Sequence, residues 1–287
     1  MLIKRAPCLW FFANMLHKLQ RGLMTRMLLS NLSNMISRLL PARTPPQSLE
    51  RKAVRKAVVD ALEPLLLAQG FSRFEGSIAW RHSAQWIDVV EIDFIDTVSY
   101  RRDSPTLGVG RYLAFAPHDP FSRAPKVVQG QLCPTSAECH LRKVMFRIEE
   151  PQATSWVVCD ERDLLDCCAE AQRMLQERAL PWFVWLDDLD TVLKLLRKGR
   201  PDVEGNSRDP VRRGTWNYDG YFSRQVVAGI AALRLGQWGL CTEILAPVLE
   251  RGGIEVRNKK VIPLPPPSLA IVRKALEAAN LRNLTSG

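Results

Sequence analysis

The feature that most constrains the fold is an alternation of apolar and polar residues at every second position between residues 71 and 116. The alternation is clearest over residues 78–82 and 86–94, and a period of two predicts β-strands. The link at Ser83 and Ala84 is short, so these strands are antiparallel neighbours, since parallel strands need a long crossover. With further strands predicted at residues 109–115 and 156–159, we expect an antiparallel sheet of about four strands.

Segments with a helical period lie on both sides of the predicted strands. Residues 48–70 form an amphipathic helix, with Ser48 as the predicted N-cap and Gly70 at the C-terminal end. Asp160 is the predicted N-cap of a helix through residue 178, whose inner face we assign to Leu164, Cys168, Ala171 and Leu175. Residues 181–186, which begin with Pro181, are predicted to interrupt the helical pattern before a short helix at 187–198. The fold class is therefore α+β.

Helical patterns also dominate the C-terminal third of the chain. Residues 218–235 and 237–250 are predicted to form a helical hairpin hinged at Gly236, and residues 268–284 a last helix. A proline-rich linker at 41–47 and a polar stretch at 200–215 suggest the boundaries. We predict an N-terminal extension at 1–47, an α+β domain at 48–200 and a helical C-terminal subdomain at 201–287.

The charge of the chain is concentrated in the N-terminal extension. The formal net charge is +10, and the first 49 residues carry seven basic and no acidic residues, which leaves +3 for the rest. A polyanion-binding role is therefore not expected of the folded part. The extension is a disordered segment or one that precedes the true start codon, a basic amphipathic helix that would contact a membrane surface or a partner through residues 1–35, or a targeting segment. Its apolar run is too short to span a bilayer.

Seven cysteines, an odd number at irregular spacing, argue against a disulfide framework. A chain of 287 residues is long enough to bury a core without such bridges. We therefore predict reduced thiols and a cytoplasmic location.

The densest set of reactive side chains lies in residues 133–142. We take its members, together with one strand tryptophan, as candidate ligand-binding residues: Trp80, Glu138, Cys139, His140 and Arg142. The cysteine and histidine spacings lack the paired rhythm of zinc sites, so we predict no metal. We also assign no cofactor and no catalytic residue.

Two other sets allow both a functional and a structural interpretation. Arg212, Arg213 and Trp216 interleave basic and aromatic side chains, which is a pattern that contacts nucleic acid, although a surface loop is the favoured interpretation. Asp88, Glu91 and Asp93 could hold a cation, but we favour the solvated face of an antiparallel strand.

The usual signatures of hydrolases, kinases and dinucleotide-binding enzymes are missing from the sequence. We therefore predict a binding or interaction module without catalysis, with another protein as its partner. One alternative is an enzyme or small-ligand-binding domain that uses Glu138, His140 and Arg142. A further alternative is nucleic-acid binding through the basic extension and the Arg212 loop.

Several short motifs occur in a characteristic order along residues 50–200: Leu65-Leu66, Gln69-Gly70-Phe71, Trp80-Arg81, Val89-Val90, Glu138-Cys139-His140-Leu141-Arg142 and Leu180-Pro181-Trp182-Phe183. In this order they resemble a bacterial family known as domain of unknown function 4304. The resemblance implies a compact α+β fold and no established activity, and therefore transfers no catalytic residue. One departure is Glu91, where the family pattern leads us to expect glutamine.

Overall fold

The computed structural model describes residues 49–95, 104–118, 123–198, 206–217, 221–251, 254–257 and 260–286. The predictions for the N-terminal extension lie outside these residues. The predicted N-cap at Ser48 is wrong, because the first helix begins at Arg51 and Glu50 is its N-cap residue. Ser48–Gly287 forms one compact unit. The helices of its described part are α1 (Arg51–Ala68), α2 (Glu161–Met174), α3 (Leu180–Trp185), α4 (Leu189–Arg197), α5 (Tyr221–Arg234), α6 (Trp238–Glu250) and α7 (Pro266–Ser286).

A six-stranded antiparallel sheet forms the centre of the fold, with the strand order β1-β2-β3-β4-β7-β8. Two separate hairpins, β5–β6 and β9–β10, complete the strands. The α+β class and the antiparallel sheet are confirmed. The strand bounds are β1 (Arg73–Glu75), β2 (Ile78–His82), β3 (Trp86–Ile95), β4 (Ser104–Leu113), β5 (Lys126–Val128), β6 (Gln131–Cys133), β7 (Leu141–Val144), β8 (Thr215–Asn217), β9 (Ile254–Arg257) and β10 (Lys260–Pro263).

The predicted strand at residues 156–159 is wrong. This segment reaches β4 only through an isolated bridge between Thr106 and Ser155. The place beside β4 is taken by β7, which pairs Gly110 with Arg142 and continues to β8. The two segments lie one after the other along the same edge of β4: β7 makes four successive pairs with Gly108–Arg111, and the later segment adds one bridge at Thr106 before it leads to the cap of α2.

Each face of the sheet contacts a different core. Val90, Ile92 and Val109 belong to the larger core, which also includes buried residues of all seven helices. Ile87 and Val89 belong to a smaller core on the other face. The period of two divides neighbouring residues of β3 between the two cores.

The segment after α2 corrects a second prediction. Asp160 caps α2 as expected, since its Oδ1 accepts a hydrogen bond from the N–H of Asp163 at 2.9 Å. The chain then continues through one π-helical turn, Leu175–Ala179, directly into α3. Pro181 therefore lies inside a continuous helical segment, just after the π-helical turn, and does not interrupt the chain.

The inner face of α2 is rotated from the predicted one. The predicted residues Leu164 and Cys168 are only partly buried. The residues that α2 buries are Cys167, Glu170, Ala171 and Met174. The predicted residues Ala171 and Leu175 are buried as expected, and the carboxylate of Glu170, which was not assigned to the inner face, is buried with them.

The C-terminal helices form the predicted hairpin. Gly236, at φ +71°, lies between α5 and α6, a conformation that glycine adopts without strain. A Cβ on Gly229 would lie 2.3 Å from Leu245 Cγ, so the absence of a side chain lets α5 and α6 approach closely. The predicted division near residue 200 stays a prediction; the described part of the polar stretch contains β8, which pairs with β7.

Candidate functional site

A short 3-10 turn, Ser136–Glu138, organises the predicted ligand-binding cluster. Glu138 and Thr135 form a capping box, in which Glu138 Oε2 accepts a hydrogen bond from Thr135 N–H at 2.9 Å. The turn is also attached to the sheet, because Glu91 Oε2 accepts from Ser136 N–H at 2.8 Å. Both carboxylates therefore hold the turn in place.

The turn lies directly over two glycines of β4. A Cβ on Gly110 would stand 2.6 Å from Cys139 Sγ and 3.2 Å from Ser136 Cα, and one on Gly108 would stand 3.2 Å from Ser136 Oγ. Any larger residue at Gly110 would displace the turn. The pair of glycines in β4 is thus a sequence signal for the close approach of another segment.

Cys139 is a buried thiol and not an activated one. Its side chain is 1% exposed, and Sγ donates a hydrogen bond to Thr135 O at 3.3 Å. Burial raises the pKa of Cys139 well above its ordinary value, and the carboxylates of Asp88, Glu91 and Glu138 raise it further, against a lowering by Arg142. The thiol stays protonated near neutral pH, which is the opposite of a cysteine nucleophile.

His140 is fully buried, and backbone groups occupy both of its ring nitrogens. The N–H of Leu113 donates to Nδ1 at 3.0 Å, which places the ring proton on Nε2, and Nε2 donates to Pro117 O at 3.2 Å. The ring packs edge-on against Tyr112 at 4.5 Å between centroids. Burial raises the pKa of Tyr112 to about 12, so that its hydroxyl also stays neutral.

Trp80 connects the second core to the segment that leads into the turn. Its indole Nε1 donates a hydrogen bond to Pro134 O at 2.7 Å, and the side chain is 2% exposed. It packs in the same cluster as Cys139 and Val89. A ligand would have to displace protein contacts to reach it.

Arg142, a member of the predicted cluster, lines a surface cleft. Its Nη1 donates to Ala137 O at 2.7 Å, and the side chain borders a cleft of about 350 Å³ together with Asp93, Ser136 and Val144. Glu138 and His140 do not line this cleft. The structure therefore does not bring Glu138, His140 and Arg142 together around one cavity.

The predicted nucleic-acid set lies near the same cleft. Arg212 stacks over the Trp185 ring at 5.1 Å and pairs with Asp209 at 3.0 Å. Arg213 stacks over Phe146, a cleft residue, at 4.2 Å. Both guanidinium groups therefore already contact aromatic rings of the protein itself.

Trp216 lies in β8, directly opposite Arg142 in the register of β7 and β8. The sequence separation of 74 positions between these residues gave no sign of this neighbourhood. The strand pairing thus places members of the two predicted sets side by side.

A buried ion-pair network on the helix-covered face of the sheet was missed by the sequence interpretation. Asp88 is 1% exposed, so the prediction that it belongs to a solvated face is wrong. Its Oδ1 accepts from Arg111 Nε at 2.7 Å and its Oδ2 from Arg81 Nη2 at 2.7 Å, while Arg111 Nη2 donates to Asp187 at 2.9 Å. The strand register pairs Asp88 with Arg111, and register was the missing information.

A second cleft, of about 620 Å³, lies elsewhere, beside α2. Buried Glu170 anchors it: its Oε1 accepts from the N–H groups of Ile148 and Glu149, and its Oε2 from Arg147 and from Trp156 Nε1 at 2.7 Å. Burial on its own raises the pKa of Glu170, but these hydrogen bonds and the Arg147 charge outweigh it and leave the pKa below its ordinary value.

Among the residues that the structure describes, no three histidine, cysteine or acidic side chains are placed to hold a metal ion. The six cysteines in this part of the chain are free thiols. None of the described helices is both long and apolar enough to cross a membrane. No family model, no curated protein and no solved structure matches the chain. The resemblance to the domain of unknown function 4304 family therefore stays a prediction.

Proposed function

We propose that this protein is a binding module without catalysis, that its partner is another protein, and that it acts in the cytoplasm. The observation that carries the proposal is the hydrogen bonding of His140. An acid–base or metal-binding histidine needs a ring nitrogen directed at a cavity, whereas Leu113 N–H and Pro117 O occupy both nitrogens of this ring. The side chains with the greatest catalytic potential serve the fold instead.

The neighbours of His140 support the same interpretation. Glu138 is the acceptor of a capping box, and the Cys139 thiol is buried and protonated. Trp80 donates to a backbone carbonyl. Recognition by this protein would therefore use its surface clefts and not the buried side chains of Cys139 and His140.

The first test is affinity capture on the tagged full-length chain, with chemical cross-linking and identification of captured proteins by mass spectrometry. Each captured protein is then expressed separately and titrated against the chain by calorimetry. We expect stoichiometric binding of the captured protein. Repeated recovery of no binding partner would contradict the proposal.

The decisive control is a search for turnover. The chain is incubated with a metabolite extract and followed by mass spectrometry. Consumption of a metabolite that is lost in His140→Ala, with an unchanged circular dichroism spectrum, would overturn the proposal. Glu138→Gln serves as a second variant if His140→Ala does not fold, since loss of turnover in either folded variant would overturn the proposal.

The cleft that Arg142 lines favours a second candidate function, binding of a small anionic ligand. Its mixture of a guanidinium group, the Ser136 and Thr154 hydroxyls and apolar Val144 is typical of small-ligand sites. Thermal-shift measurements with phosphate and with citrate test it. A rise in Tm that disappears in Arg142→Gln supports this candidate, and no rise with either anion contradicts it.

Nucleic-acid binding has less support. Arg212 and Arg213 already contact Trp185 and Phe146, so a nucleic acid would have to compete for both guanidinium groups. Such binding would weaken steeply with salt. A mobility-shift titration of the full chain at two salt concentrations is the appropriate measurement.

A further inference from the structure

The cleft beside α2 is a groove between an edge segment of backbone and a helix. Ser155, Trp156 and Val157 form one wall, and α2 forms the other through Asp163, Asp166 and further residues. We call this cleft the α2 groove. Its volume of about 620 Å³ lies in the range of ligand-binding sites.

The backbone wall of the groove has one edge paired and the other open. Trp156 N–H donates to Pro105 O of β4 at 3.0 Å, beside the bridge between Ser155 and Thr106. Backbone groups of successive residues in a paired strand point to opposite edges, so those of Val157 point away from β4.

Val157 has the features of an unoccupied strand position. Within the described residues, its N–H and C=O form no hydrogen bond, and its side chain is 48% exposed. An open edge of this kind accepts an added strand, whose main chain supplies the affinity. A groove between such an edge and a helix matches the space that an extended peptide requires.

The charge of the groove selects the type of peptide. Five carboxylates and two arginines line the α2 groove, and both arginines are paired within it: Arg147 with Glu170 and Glu150, and Arg173 with Glu149. The two carboxylates that form no ion pair with these arginines are Asp163 and Asp166, which lie nearer the start of α2. Asp166 is exposed and has no partner among the described residues, while Asp163 accepts from Cys159 N–H.

The floor of the α2 groove is already in place without a ligand. The Trp156 indole and the Glu170 carboxylate form a buried hydrogen bond of 2.7 Å, and each side chain is 3% exposed. Both walls are attached to this bond, because Trp156 belongs to the edge segment and Glu170 to α2. A preformed floor lowers the ordering cost of binding.

We propose that the α2 groove binds an extended, lysine- or arginine-bearing peptide segment of a partner protein, which pairs with the backbone of Val157 as an added strand. The basic side chains of the segment lie against Asp166 and Asp163. This inference rests on the proposed function as a binding module and names the chemistry of the partner and the place where it binds.

Selection of a displayed library of random octapeptides against the full-length chain tests the charge preference. Selected peptides are resynthesised with a fluorophore and measured by fluorescence anisotropy. We expect enrichment of lysine and arginine over the starting library. Enrichment of acidic peptides, or no selected peptide that binds, would overturn the inference.

The backbone pairing is tested by removal of a single donor. Val157→Pro lacks the N–H, and we expect about tenfold weaker binding, whereas Val157→Ala keeps the N–H and should bind within about twofold of wild type. A peptide N-methylated at alternate residues provides the reverse test on the unaltered protein, because methylation on the paired edge prevents strand addition. Full binding of both alternately methylated forms would contradict the inference.

The electrostatic contact is tested on one helix with a matched control. Asp166→Lys reverses the unpaired charge in the α2 groove, and Glu161→Lys makes the same change on an exposed residue of α2 that does not line it. We expect about tenfold weaker binding for Asp166→Lys and little change for Glu161→Lys. Equal effects of the two variants would contradict the proposed position.

The two proposals fail in different ways. If a captured native partner binds Val157→Pro and Asp166→Lys as tightly as wild type, the α2 groove inference is wrong and the binding-module proposal stands. If turnover that depends on His140 is found, the binding-module proposal is itself wrong.

Discussion

The imidazole of His140 accepts a hydrogen bond at Nδ1 from the backbone N–H of Leu113, 3.0 Å away, inside the fold. This bond connects the start of β7 to the end of β4, two strands that pair only over Gly108–Arg111 and Leu141–Val144. The His140 side chain thus extends the contact between the two strands beyond their last backbone pair, Arg111 with Leu141. A residue type that suggests chemistry in the sequence has a structural role in the fold.

We expect His140→Ala to lower the free energy of unfolding by about 2–4 kcal/mol, since it leaves the Leu113 N–H without its acceptor and opens a cavity beside Tyr112. Urea denaturation followed by circular dichroism measures the change. His82→Ala is the matched control, because that histidine is only partly buried and, within the described part of the chain, its ring forms one hydrogen bond, with Leu132 O at 2.8 Å. Equal losses in the two variants would contradict the assigned role of His140.

Gly110→Ala should destabilise the protein by about 1–3 kcal/mol, because the added methyl group overlaps Cys139 and must displace the 3-10 turn. The strain is steric, since Gly110 does not have a positive φ. Gly239→Ala in α6, where a Cβ meets no atom within 4 Å, should instead be neutral or more stable by up to about 1 kcal/mol. Thermal unfolding of both variants gives the comparison, and a neutral Gly110→Ala would contradict the close approach.

Glu170→Gln should destabilise the protein by about 3 kcal/mol at neutral pH, because it removes the buried carboxylate that accepts from Trp156 and leaves partly buried Arg147 with only the exposed Glu150 as its charge partner. Glu150→Gln, which changes an exposed partner of Arg147, should cost less than about 1 kcal/mol. Urea denaturation compares the two variants with wild type.

The same side chain predicts a pH dependence. The folded-state pKa of Glu170 is lowered from an ordinary value of 4.5, so its stabilisation is complete above that value and is lost as the pH falls through the lower, folded-state pKa. The difference in unfolding free energy between wild type and Glu170→Gln should therefore shrink as the pH is lowered through this window. A difference that grows at acid pH would contradict the assigned direction.

Asp88→Asn should lower the free energy of unfolding by about 3–5 kcal/mol, since the fully buried Arg111 loses its main counter-charge. Asp187→Asn removes the other, half-exposed partner of Arg111, and we expect a loss of about 1 kcal/mol or less. Chemical denaturation of both variants tests the ranking. If Asp187→Asn is the more damaging change, the buried pair is not the centre of this network.

Local patterns in the sequence were sufficient for much of the architecture. The period of two and the short links predicted β2, β3 and the core of β4 as antiparallel strands. The small residues of α5, with the turn at Gly236, predicted its hairpin with α6. Such features depend on neighbouring residues, and the physical preferences that produce them act over a few positions.

Relations between distant residues were decided only by the tertiary structure. The register of β3 against β4 makes Asp88 the partner of Arg111. The Asp88 carboxylate, which was predicted to be solvated, is therefore buried. The rotation of α2 directs Glu170 inward to Trp156, and the pairing of β7 with β8 brings Arg142 opposite Trp216.

The physical reason is that local periodicity determines which residues share a face, whereas the pairing of faces depends on competition among whole segments for the same neighbours. Leu141–Val144 forms four pairs with β4, whereas residues 156–159, which the alternation predicted as a strand, follow a single bridge at Ser155. The backbone edge at Val157 lies open beside α2. The sequence by itself therefore determined the elements and the class of fold, and the tertiary structure decided that His140 is buried and where the α2 groove lies.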